Sequence, residues 1–191
     1  MKKVICVYSS SSDKIDTPYF ELAARLGRAI AANGDTLLFG GGMRGLMGAT
    51  ATAAHDSGAK VIGIIPEALN LKGIAFEACD EMVVTRDIRE RKSIMDERSE
   101  AFIALPGGFG TLEELIEIIS LKLLKYHNKP VVILNCRGFY DAMLKQFDDI
   151  IGGSFAKPES RLLYHVTSDV AEAIEYINAY KPIELTDKWL T

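Results

Sequence analysis

The chain has 191 residues, 48% of them apolar and 25% charged, with 22 Lys and Arg against 26 Asp and Glu for a formal charge of −4. That is one domain's worth of chain with enough apolar material for one substantial core. Its mild acidity argues against a general phosphate-backbone binder, so no nucleic-acid partner is expected.

Met1-Lys2-Lys3 is followed by an apolar run, Val4 to Tyr8, that is too short for a signal-peptide core and reads as a first strand, Lys3–Tyr8. Further strands are expected at Thr36–Phe39, Val61–Ile65, Met82–Val84, Ala101–Leu105, Val131–Leu134 and, most weakly patterned, Leu163–Val166. Most are continuous apolar runs, as parallel strands buried on both faces require. Between the first two, Pro18 suits a first helical turn, Leu22, Leu26, Ala29 and Ile30 share one helix face, and Asn33-Gly34 ends the element. Helices are also expected at Leu46–His55, Ile88–Glu97, Leu112–Leu124, Tyr140–Ile150 and Val170–Ala179. Pro66–Asp80 is the longest irregular stretch and is a candidate lid, and Lys181–Thr191 reads as a tail or docking arm. The βαβα alternation predicts one α/β domain over residues 1–191. It is a Rossmann-like, doubly wound parallel sheet of about seven strands with helices on both faces, and its ligands lie beyond the carboxyl ends of the strands.

Three strand ends carry unusual residues: Ser9-Ser10-Ser11-Ser12, the glycine-rich run Gly40 to Gly48, and Pro106-Gly107-Gly108-Phe109-Gly110-Thr111-Leu112-Glu113-Glu114. Glycine lets backbone N–H groups approach a ligand, and a helix N-terminus behind the turn favours an anion, so both glycine turns are candidate phosphate sites. Tight turns alone are the plainer alternative. A Walker A loop is absent because the 40–48 run holds no lysine, and a dinucleotide fingerprint fails because Glu113 stands where the third glycine belongs. Arg86-Asp87-Ile88-Arg89-Glu90-Arg91-Lys92 is locally basic. It also fits a solvated helix face with i,i+4 pairs Arg86–Glu90 and Asp87–Arg91. Thr111 to Glu114 fits a capping box, and taken alone that spacing favours capping over catalysis. Cys6, Cys79 and Cys136 form no CxxC pair, and His55, His127 and His165 show no metal-ligand spacing. No disulfide framework or metal site is therefore expected. No apolar run approaches the ~20 residues of a bilayer span, so the expectation is a cytoplasmic, reduced, membrane-free protein.

Gly40-Gly41-Gly42-x-x-Gly45-Leu46-Met47-Gly48, then Arg91-Lys92, then Pro106-Gly107-Gly108-x-Gly110-Thr111-x-x-Glu114 resemble the Lonely-guy (LOG) phosphoribohydrolases in order and spacing. The resemblance runs from the first strand to about Asn135 and more loosely to Phe155. Members cleave the N-glycosidic bond of cytokinin riboside 5′-monophosphates, many also cleave AMP, and some carry the older label lysine decarboxylase. That label is set aside because no lysine stands in a setting suited to pyridoxal phosphate.

The resemblance places catalytic roles on Arg91 and Glu114. It places substrate binding on Lys92, Gly107, Gly108, Phe109, Gly110, Thr111 and Glu113, with Gly41, Gly42 and Ser11 from the other two loops. It implies a homodimer acting on a nucleoside monophosphate, without metal or cofactor. Backbone amides at 107–111 would hold the 5′-phosphate. Glu114, expected in the first turn of its helix with its pKa lowered by the helix N-terminus, would face the ribose, and Arg91 would polarise the base. Departures from the family pattern fall at Ser10, Gly73, Ile88, Arg89 and Leu121. The alternative is a non-catalytic carrier of a nucleotide or of molybdenum cofactor, which needs the phosphate turn but not the carboxylate. A phosphotransferase would want an acidic metal-binding cluster beside the glycines, and only Glu113-Glu114-x-x-Glu117 comes near one.

Overall fold

A computed structural model describes residues 2–184. Seven strands form one sheet: β1 (Val4–Tyr8), β2 (Thr36–Phe39), β3 (Val61–Pro66), β4 (Glu81–Thr85), β5 (Ala101–Ala104), β6 (Val131–Leu134) and β7 (His165–Thr167). Among the described residues five helices lie in the connections, α1 (Thr17–Ala32), α2 (Gly45–Asp56), α3 (Ile88–Arg98), α4 (Phe109–Leu123) and α5 (Asp141–Gly152), and a sixth, α6 (Val170–Ala179), follows β7. A stretch with a short 3-10 segment, Glu67–Leu69, and no α-helix joins β3 to β4. The order across the sheet is β4-β3-β2-β1-β5-β6-β7, with every neighbouring pair parallel. The chain starts mid-sheet at β1, winds outward to β4 and returns to the other side of β1 at β5. The winding direction therefore reverses between β1 and β5, and a crevice opens beyond their carboxyl ends.

Both faces are covered, as the continuous apolar strands require. Ile5 and Val7 of β1 face Leu22, Leu26 and Ile30 of α1, Leu46 of α2 and Ile177 of α6. Cys6 and Tyr8 point the other way, towards Met95 of α3 and Leu115 and Ile118 of α4. Tyr140, almost fully buried, donates its hydroxyl to Leu105 O at 2.6 Å and so anchors the point where β5 leaves the sheet.

Two shifts of expected boundaries stand out. The last strand lies at 165–167 because Leu163 ends a 3-10 segment, Pro158–Leu163, and α4 begins at Phe109 rather than Leu112. The Pro66–Asp80 stretch is tied down: Gly42 and Ala75 form an antiparallel bridge, Met43 N donates to Ile74 O, and Phe76 N donates to Gly41 O, each bond at 2.8 Å. It forms a wall over the glycine turn instead of a free lid. Of the expected tail, Ile183 exchanges hydrogen bonds with the Asn128 side chain, while 185–191 lie outside the described residues. No described helix is long and apolar enough to cross a membrane.

Lys122 on α4 is 1% exposed, its Nζ has no hydrogen-bond partner among the described residues, and it lies 4.8 Å from the Tyr180 ring centroid. Burial pushes its amine down to about 8 from an ordinary 10.5. Between those values the unfolded chain binds more protons than the native one, so native stability rises with pH across that window. Lys122→Met is expected to stabilise the fold at neutral pH by about 1 kcal/mol or more, because it removes a buried charge that has no hydrogen-bond partner among the described residues. In urea melts the gap between variant and wild type should close as pH approaches 10.5, whereas a pH-independent gap contradicts the account.

Candidate active site

The Pro106–Thr111 turn carries the chain from β5 into α4. Gly108 is the N-cap and no side chain caps the helix. The first helical bond into this turn runs from Leu112 N to Gly108 O, and the N–H groups of Phe109, Gly110 and Thr111 have no partner among the described residues. Three free amides with the positive end of a helix dipole make an anion seat. The other glycine turn is different. At the start of α2, Gly45 N donates to Asp13 Oδ1 at 2.8 Å and Met47 N to Ser10 O at 3.2 Å, so the chain itself occupies much of that helix end. Of the two turns expected to seat a phosphate, the one opening α4 is the open one.

Because α4 begins at Phe109, Thr111 lies inside the helix and Glu114 falls in its second turn, not its first. The capping-box reading of Glu114 therefore fails. Its Oε1 instead accepts from Arg91 Nη1 at 2.8 Å, with the two side chains 11% and 12% exposed. Arg91 sits in the first turns of α3, which Asp87 caps by accepting from Arg89 N and Glu90 N at 2.8 and 2.9 Å. This use of Asp87 leaves the expected Asp87–Arg91 pair unformed, while the Arg86–Glu90 pair forms at the surface at 3.1 Å. Arg91 Nε donates to Ile64 O at 3.0 Å, fixing the guanidinium at the end of β3. Gly40 makes room for it: a Cβ there would lie 2.0 Å from Arg91 Nη2. Burial raises the Glu114 pKa, with the Arg91 charge and hydrogen bond pulling it back. That direction corrects the expectation of a lowered value, since dehydration of the carboxylate outweighs the helix terminus.

These groups face a cavity of about 820 Å³ at the β1/β5 crevice. Ser9 to Ser12 form one side, Gly108 to Thr111 with Arg91 and Glu114 another, and Gly40, Gly42, Arg44 and Met47 a third. Ile65, Leu69 and Ile74 close an apolar flank. Of the expected site residues, Arg91, Glu114, Ser11, Gly42, Gly108, Phe109, Gly110 and Thr111 meet here. Gly41 and Gly107 shape the cavity without lining it: Gly41 turns with φ +75° against Ile65, and Gly107 packs on Thr111. Lys92 and Glu113 do not join it. They pair with each other between α3 and α4, and Lys92 also reaches Glu117 at 3.0 Å. Helical geometry explains the divergence, since residues adjacent in sequence point about 100° apart, so Arg91 and Glu114 facing inward turn Lys92 and Glu113 outward. Arg44, Met47, Leu69 and Ile74 were not expected. Arg44 was visible as the lone cation of the glycine run, whereas Leu69 and Ile74 lie in a stretch without periodicity.

Fold and site together define a Rossmann-like α/β protein with an open amide turn beside a largely buried arginine–carboxylate pair. The family model described as "Possible lysine decarboxylase" matches residues 47–177. Cytokinin riboside 5′-monophosphate phosphoribohydrolase LOG5 of Arabidopsis thaliana is 39% identical over 181 residues, covering 95% of this chain and 79% of that protein. The probable cytokinin riboside 5′-monophosphate phosphoribohydrolase LOGL6 of Oryza sativa subsp. japonica is 39% identical over 178 residues, covering 93% and 71%. Among solved structures, the molybdenum cofactor carrier protein of Chlamydomonas reinhardtii superposes with a TM-score of 0.70 at 27% identity, covering 93% of this chain and 97% of that one. The chain belongs to the Lonely-guy (LOG) family. Pyridoxal phosphate, which a decarboxylase label implies, is carried on a lysine. Among the described residues no lysine lines the cavity, so these residues do not fit that cofactor.

Proposed function

We propose that the protein is a phosphoribohydrolase that cleaves the N-glycosidic bond of purine or cytokinin riboside 5′-monophosphates, AMP among them, releasing free base and ribose 5-phosphate. The observation that carries this reading is the largely buried Arg91–Glu114 pair beside the open amides of α4. The 5′-phosphate takes the N–H groups of 109–111. The ionised Glu114 carboxylate stabilises positive charge developing on the ribose, as glycosidase carboxylates do, and orients the attacking water. Arg91 offsets the negative charge left on the departing base. The relatives' names support the activity, and the apolar flank at Leu69 and Ile74 suits a purine face or an N6 substituent. The carrier reading draws on the solved structures of molybdenum cofactor carrier and binding proteins. It leaves the dehydrated carboxylate without work, and burying a charge for no return is costly.

The test compares AMP and N6-isopentenyl-AMP with the matching nucleosides, following free base by chromatography. The monophosphates should turn over and the nucleosides should be poor substrates. Equal turnover of adenosine and AMP contradicts the role given to the phosphate seat.

A cytoplasmic homodimer completes the reading. Leu121, Leu123 and Leu124 at the end of α4 are only partly covered, with Leu124 44% and neighbouring Tyr126 77% exposed. Light scattering at micromolar concentration should give twice the chain mass of 21.0 kDa. A mass near that of one chain refutes the dimer.

A further inference from the structure

We propose that Arg44 is a phosphate-docking cation that engages the substrate's 5′-phosphate across the cavity from the amide turn opening α4. This rests on the phosphoribohydrolase reading and assigns that site a binding residue beyond the Arg91–Glu114 pair. Among the described residues lining the cavity, the charged side chains are Arg44, Arg91 and Glu114. Arg91 is committed to Glu114 and to Ile64 O, and that pair carries no net charge. A phosphate dianion arriving at the three open amides thus meets one cation without a firm partner, and it is Arg44.

Arg44 is held at the right place but held loosely. Its backbone is fixed as the N-cap of α2 because the next residue, Gly45, turns with φ +60° against Ser10, where a Cβ would lie 2.6 Å from Ser10 O. Ser10 in turn binds both neighbours: its carbonyl accepts from Met47 N at 3.2 Å, and its own N–H donates to Pro106 O at 3.3 Å. The Arg44 turn, the serine loop and the amide turn are therefore stitched into one rim. The guanidinium makes an ion pair of 3.7 Å with Asp13 Oδ2, both side chains more than half exposed. Such exposed pairs contribute little, so releasing Arg44 costs little. Asp13 keeps its other task without it, since its Oδ1 caps Gly45 N. The wall between them holds a further unused polar group, the Ser9 hydroxyl, which is buried and has no partner among the described residues. A guanidinium suits phosphate because its fork of donors matches two phosphate oxygens at once.

The experiment uses Arg44→Ala and Arg44→Lys in the whole chain, with AMP and adenosine as substrates and ribose 5-phosphate as inhibitor. In Arg44→Ala the KM for AMP should rise ~10-fold or more, the scale of one lost charge-assisted contact. The kcat should change little, ribose 5-phosphate inhibition should weaken in parallel, and the slow hydrolysis of adenosine should stay as it was. Arg44→Lys should recover part of the loss, and both variants should melt with the wild type. An unchanged KM for AMP, or an equal loss on AMP and adenosine, overturns the assignment. Calorimetric titration with AMP separates this inference from the reading beneath it. If the wild type binds AMP without hydrolysing it, the hydrolase reading fails, while a weaker Kd in Arg44→Ala still upholds the docking role and an unchanged Kd rejects it.

Discussion

Glu114→Gln is expected to keep the fold and the melting temperature while lowering turnover of AMP ~10²-fold or more, a loss of about 2.7 kcal/mol of transition-state stabilisation. Glutamine keeps the shape and still offers an oxygen to Arg91, but a neutral amide cannot stabilise a cationic sugar. The helix-capping alternative predicts silence instead. It has lost its basis, because Glu114 lies in the second turn of a helix whose cap is Gly108. A pH profile adds an independent check. Burial raises the Glu114 pKa and catalysis needs the ionised form. Activity should therefore fall on the acid side at a pH above the ordinary carboxylate range, and the limb should be missing from the residual activity of Glu114→Gln. Near-normal turnover in that variant removes Glu114 from the chemistry.

Arg91→Ala should lose turnover on a comparable scale, ~10²-fold, by leaving the departing base unassisted. It should also destabilise the protein, by up to about 3 kcal/mol, because a dehydrated carboxylate is left without its cation. The double variant Arg91→Ala with Glu114→Gln separates the two effects: stability should return while activity does not. Gly40→Ala approaches the same guanidinium from the other side, where an added methyl would sit 2.0 Å from Nη2. It is expected to reproduce part of the kinetic loss without touching either charge. Full activity in Arg91→Ala with a stable fold contradicts the pairing as a catalytic unit.

The fold was largely legible because each buried strand announces itself as a short apolar run and each helix by its periodicity, and a βαβ alternation leaves few topologies. The boundaries that moved did so for local reasons. Leu163 has the look of a strand residue, yet Pro158 sets a 3-10 segment that consumes it. Phe109 and Gly110 read as turn residues, yet they are the first residues of α4, and that shift of three positions carried Glu114 from the capping position into the second turn, where it meets Arg91. Glu114 and Arg91 were legible as motif residues, but their contact was not, since it joins α3 to α4 across the ends of β3 and β1. Lys92 and Glu113, adjacent in the same motifs, face the other way and pair outside the cavity. The apolar flank was hidden for a different reason: Leu69 and Ile74 are positioned by a bridge between Gly42 and Ala75, a tertiary contact that no local pattern encodes.

The measurement that bears most directly on the central claim is a product balance on AMP and N6-isopentenyl-AMP, quantifying free base and ribose 5-phosphate from wild type and Glu114→Gln in the same run. The wild type should yield equimolar base and ribose 5-phosphate, and the variant almost none. Nucleotide recovered intact from the wild type, bound but uncleaved, would contradict it.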